Sequence, residues 1–117
     1  MQFIAALVLA AYALVGWSQP LDGHALRERC ETAASTVDSG FCAGYLTAVA
    51  DTLRSVNRYY KQRRVFNVCP PQPEAQDSAW LVRHFLDWAD RHGDKLHHSA
   101  NETAIAALHD AFRCRHQ

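Results

Sequence analysis

The chain opens on an uninterrupted apolar run, Phe3 to Val15 (FIAALVLAAYALV), followed by Gly16, Trp17, Ser18 and a polar region from Gln19. Thirteen apolar residues fall short of the ~20 that a helix needs to cross a bilayer, so the run reads as the h-region of a secretory signal peptide. Gly16 and Ser18 supply a small-x-small site, which predicts cleavage after Ser18; a cut after Ala13 is the minor alternative. The only positive charge ahead of the run is the α-amino group of Met1, which keeps an uncleaved anchor as the competing reading. Residues 1–18 are thus expected to be removed, and 19–117 to form one domain.

Beyond Gln19 the pattern turns helical. Leu26, Cys30 and Ala33 share a face at spacings of four and three, predicting a first helix from His24 to about Ala34. Thr36 to Gly40 (TVDSG) reads as a turn, with Asp38 or Ser39 available to cap a second helix. On that helix Phe41, Cys42, Tyr45, Leu46, Val49, Leu53, Val56, Tyr59 and Tyr60 gather in one arc, opposite Asp51, Arg54, Ser55 and Arg58. Gly44, Ala48 and Ala50 are small enough to admit a neighbouring helix. The basic exit Lys61 to Arg64 suits a helix C-terminus. Val65 to Pro73 (VFNVCPPQP) must be an extended connector, since three prolines interrupt it.

A third helix is expected from Glu74 to about His92, burying Ala79, Leu81, Val82, Phe85, Leu86, Trp88 and Ala89, with Gly93 ending it in the left-handed conformation. Ser99 and Glu102 have the spacing of a capping box ahead of a fourth helix carrying Ala104, Ile105, Ala107, Leu108, Ala111 and Phe112. No internal repeat and no period-two alternation long enough for a strand is present. The expected fold is an all-α bundle of about four helices.

Cysteine content changes this picture most. Cys30, Cys42, Cys69 and Cys114 all follow the apolar run, and an even count in a short exported chain reads as a disulfide framework. Four cysteines allow three connectivities. Antiparallel packing of the first two helices would bring Cys30 beside Cys42, and antiparallel packing of the last two would return Cys114 to Cys69, so that pairing is favoured. A core this small gains from such bridges. A C-x-x-C motif is absent, which argues against a redox-active pair.

Charge excludes more than it suggests. Twelve basic and twelve acidic residues balance, so the composition offers no broad surface for nucleic acid or, after signal cleavage, for a membrane. His92, His97 and His98 cluster about one turn, but they lack the spacing and companion ligands of a zinc site. No nucleophile elbow, zinc-protease motif or glycine-rich phosphate loop occurs, so neither catalysis nor a cofactor is expected. Asn101 to Thr103 matches a glycosylation sequon, but Glu102 already has a capping role. Trp80 falls on the polar side of the third helix with Arg83, His84 and Asp87, a composition suited to an interface anchor unless the connector covers it. Tyr59, Tyr60, Arg63 and Arg64 form a second aromatic and basic cluster.

Phe41 to Leu53 (FCAGYLTAVADTL), Val68 to Pro71 (VCPP), Gln76 with the third helix, and Ala106 to Cys114 (AALHDAFRC) resemble the Tai-like family of periplasmic immunity proteins against type VI secretion amidase effectors. Ala48, Gly93 and Arg113 depart from the family's pattern, where glycine, proline and proline are usual; no departure removes a cysteine. The resemblance implies a helical, often dimeric periplasmic protein that binds a peptidoglycan-cleaving amidase and occludes its cleft without chemistry of its own. Trp80, Tyr59, Tyr60 and Arg64 are then the first contact candidates, with His97 and His98 second. The competing expectation is an envelope-stress chaperone whose histidines, titrating between pH 5 and 8, switch its binding.

Overall fold

A computed structural model describes residues 20–60, 65–72 and 77–115. The expected signal segment, Arg63, Arg64, Glu74 and Gln76 lie outside the described residues. Within them the chain is all-α, with four helices: α1 (Gly23–Cys30), α2 (Val37–Tyr59), α3 (Ser78–Arg91) and α4 (Ala100–Ala111). Single 3₁₀ turns occupy Val65–Asn67 and Gly93–Lys95. Both favoured disulfides are formed, Cys30–Cys42 and Cys69–Cys114.

The first helix is shorter than its apolar spacing suggests. It stops at Cys30, and the reversal into α2 is compressed into a few residues by Ser35 at φ 73°. Thr36, rather than Asp38 or Ser39, is the N-cap of α2, its Oγ1 accepting from the Ser39 amide at 3.1 Å. Val37 to Gly40 are therefore helical, and the turn expected there lies one step earlier. The periodicity hid this because Val37, on the first turn, is 90% exposed.

Cys42, Leu46, Ala50 and Leu53 form the buried stripe of α2, with Tyr45 and Val49 packed at its edge. The arc read from the sequence is wider than the core it serves: Phe41, Tyr59 and Tyr60 are exposed. Of the three small residues expected to admit a neighbouring helix, Ala50 alone is buried; Ala48 is exposed, and a Cβ on Gly44 would meet nothing within 4 Å.

Asp77 caps α3 by accepting from the Trp80 amide at 2.8 Å. Leu81, Phe85, Trp88 and Ala89 are buried; Val82 and Leu86 are half-buried and Ala79 is exposed, narrowing the expected face. The helix does not end on a left-handed glycine. His92 closes it at φ −130°, its amide donating to Ala89 O at 3.2 Å and its Nδ1 lying 2.8 Å from Trp88 O. Gly93 instead opens the following 3₁₀ turn. The histidine ring thus meets the Trp88 carbonyl while its own amide turns to that of Ala89.

The capping box of α4 is present in both directions, Ser99 Oγ accepting from Glu102 N and Glu102 accepting from Ser99 N, each at 3.2 Å. Ala100, Thr103, Ala104, Ala107 and Leu108 pack inward, while Ile105 faces partly out. Leu96, fully buried in the turn before α4, joins the core from outside any α-helix. The start of α1 docks on that turn through Gly23 N to His98 O, His24 N to Leu96 O and Ala100 N to Leu21 O, at 2.9–3.1 Å.

An antiparallel β-bridge between Val68 and Arg113 lies beside Cys69–Cys114, with Cys69 N donating to Phe112 O at 2.7 Å and Cys114 N to Asn67 O at 3.1 Å. Asn57 donates to Val68 O at 2.7 Å and Arg54 to Pro71 O at 2.6 Å, fastening the connector along α2.

Candidate partner-binding surface

The connector turns one hydrophobe, Phe66, outward while Val68, two residues on, is fully buried. Phe66 sits at φ 62° and Asn67 at φ 53°, two consecutive left-handed residues without glycine. The conformation disfavours an L-residue by about 1–2 kcal/mol, less for asparagine, so neighbouring structure must hold it. The holding bonds are those at Val68, Cys69 and Cys114 just described. The result is a phenylalanine 57% exposed.

Phe66 and Ile105 line two recesses at once. The first, of about 320 Å³, lies between α2 and α4, with Tyr45, Val49, Val56 and Leu53 on its walls. The second, of about 460 Å³, has Trp88, Ile105 and Ala106 on its lining and His92, Lys95, Glu102, His109 and Asp110 around it. A smaller recess of about 210 Å³ shares Trp88, Lys95, Glu102 and Ala106 with the second and reaches His98 and Thr103. Phe66 and Ile105 thus form the ridge of one continuous apolar surface with a charged margin on its α3 side.

Electrostatics leave that margin mixed in sign. Asp110 lies 3.4 Å from Arg91 and 3.7 Å from His84, and His98 Nδ1 lies 3.7 Å from Glu102. On the α2 side, burial raises the Tyr45 phenol above its ordinary value. A neutral, partly aromatic surface with a polar border suits a protein partner. Among the described residues no three histidine, cysteine or carboxylate side chains converge to hold a metal ion.

The residues singled out by sequence are dispersed about this surface. His98 lines its smaller recess, and the His97 ring lies tilted against it with centroids 4.2 Å apart. Tyr59 and Tyr60 are exposed at the end of α2, at 85% and 60%, outside the recesses. Trp80 is half-buried, its ring 5.0 Å from that of His84 and 5.2 Å from that of Phe112. His84 Nε2 in turn lies 3.1 Å from Ala107 O, so this stack ties α3 to α4. Sequence reasoning missed Phe66 as a site residue. The available signal was an aromatic side chain followed by asparagine, a residue tolerant of the left-handed region, inside a connector.

No curated protein and no solved structure matches the chain. A family model of the Rap1a immunity proteins matches residues 22–114, from the α1 cap to the last cysteine; the chain belongs to that family, which gives it a secreted effector as its class of partner.

Proposed function

We propose that the chain is a periplasmic immunity protein, exported by residues 1–18, that binds a peptidoglycan-cleaving amidase effector and occludes its cleft without chemistry of its own. The observation that carries this reading is the Phe66–Ile105 ridge between two apolar recesses, displayed on a domain with two disulfides. A preorganised anchor of this kind loses little conformational entropy on binding. Tyr59 and Tyr60 at the end of α2, Arg64 four residues further along the sequence, and His97 with His98 would make the outer contacts. Trp80, packed on His84 and Phe112, contributes through its remaining exposed edge. The family resemblance adds a homodimer, which light scattering at neutral pH checks.

The test is capture from a periplasmic extract with the oxidised protein as bait, identified by mass spectrometry and followed by a peptidoglycan-cleavage assay. One amidase, inhibited on addition of the protein, is the expected result, and Phe66→Ala should weaken its binding by roughly 30-fold, the loss of a central aromatic anchor. Many unrelated clients, or none at neutral pH and several at pH 4, would overturn the reading in favour of the envelope chaperone. N-terminal sequencing of the exported protein should begin at Gln19; retention of Met1 would refute the signal assignment.

A further inference from the structure

The two disulfides differ in what surrounds them. Cys30 and Cys42 are both buried in the core, between the end of α1 and the first turns of α2. Cys114 is also buried, but its partner Cys69 is half-exposed in the connector, three residues from Phe66. Cys69–Cys114 is therefore the bridge an external thiolate reaches more readily. The accessible bridge is the one that flanks the left-handed turn. Cys114 N to Asn67 O and Cys69 N to Phe112 O are its immediate hydrogen-bonded neighbours, and no glycine is present at positions 66 and 67 to make that conformation intrinsically easy.

We propose that Cys69–Cys114 is a positioning bond for Phe66, opened by thiol–disulfide exchange while Cys30–Cys42 stays closed, so that its redox state sets how tightly the partner is held. In this step a thiolate of an external dithiol attacks Cys69 Sγ, the Sγ–Sγ bond breaks and Cys114 departs as thiolate. The second thiol of the reductant then displaces Cys69 from the mixed disulfide. The dithiol leaves as a disulfide, and the protein gains two electrons and two protons. Freed of the bridge, Phe66 and Asn67 relax out of the left-handed region, and both recesses lose the wall they share. The bonds from Asn57 to Val68 O and from Arg54 to Pro71 O still tie the connector to α2, but both lie C-terminal to Phe66 and Asn67 and leave those two residues free to turn.

The effect on partner binding rests on the amidase-immunity reading; the positioning role does not. Stepwise reduction of the oxidised protein with dithiothreitol, trapped by N-ethylmaleimide and read by mass spectrometry, should label Cys69 and Cys114 at concentrations at least tenfold below those that label Cys30 and Cys42. In that interval far-UV circular dichroism should be unchanged, while hydrogen exchange at the Cys69 and Cys114 amides rises at least tenfold. Against the amidase captured as above, opening the bridge should weaken binding roughly 30-fold in the native sequence and add nothing in Phe66→Ala. Cys69→Ala/Cys114→Ala should reproduce that loss, and Cys30→Ala/Cys42→Ala should leave binding within threefold. Simultaneous opening of both bridges, unfolding when Cys69–Cys114 opens, unchanged amide exchange, or a full reduction effect persisting in Phe66→Ala would each overturn the proposal. Capture of no amidase would defeat the function reading, while labelling and exchange would still decide the positioning role.

Discussion

A Cβ added to Gly23 would lie 2.7 Å from Thr103 Cγ2, 2.8 Å from the Leu96 carbonyl oxygen and 3.0 Å from Leu96 Cα. Two of those three atoms are backbone, and the third belongs to a fully packed threonine, so none can give way cheaply. The same glycine donates its amide to His98 O, locking α1 onto the turn before α4. Gly23→Ala should therefore destabilise the oxidised protein by about 2 kcal/mol, the scale of an overpacked core contact. Gly44 is the opposite case. It lies inside α2 with open space where a Cβ would go, and Gly44→Ala should stabilise by up to about 1 kcal/mol through helix propensity alone. Urea denaturation of both variants checks the two signs together; equal effects in the same direction would contradict this account of α1 docking.

Ser99 carries the N-terminus of α4 through the reciprocal bonds with Glu102. Ser99→Ala should cost about 1 kcal/mol and raise exchange in the first turn of α4, without changing the residues on the Phe66–Ile105 ridge. That helix was legible because two independent signals, the cap spacing and the apolar period, agree on it. The start of α2 was less so: Thr36, Asp38 and Ser39 are all cap-type residues, and only tertiary placement of Ser35 at positive φ selects Thr36. The end of α3 misled because glycine is the usual left-handed residue, while His92 supplied a side-chain bond that sequence cannot reveal. The ridge was hidden for a further reason. Phe66 faces solvent through a backbone conformation held by a bridge to Cys114, distant in sequence, and periodicity says nothing about residues outside helices.

For the molecule as a whole, the bridges divide their work unevenly. Cys30–Cys42 closes a separation of 12 residues and Cys69–Cys114 one of 45. In the chain-entropy model these restrict the unfolded chain by about 3 and about 4 kcal/mol respectively. The loops do not overlap in sequence, so their contributions should add, to about 7 kcal/mol against the roughly 5–15 kcal/mol that holds a domain of this size folded. Each single-bridge alanine variant should then stay folded, with Cys69→Ala/Cys114→Ala the less stable, and the variant lacking both should be largely unfolded at 37 °C. Burial works against that order, because removing sulfurs at Cys30 and Cys42 also empties space in the core, whereas Cys69 is half-exposed. Urea midpoints of the two variants weigh the effects directly. A lower midpoint for Cys30→Ala/Cys42→Ala would mean that core packing outweighs loop entropy here. The more accessible bridge would then also be the less stabilising one, making its reversible opening easier to survive.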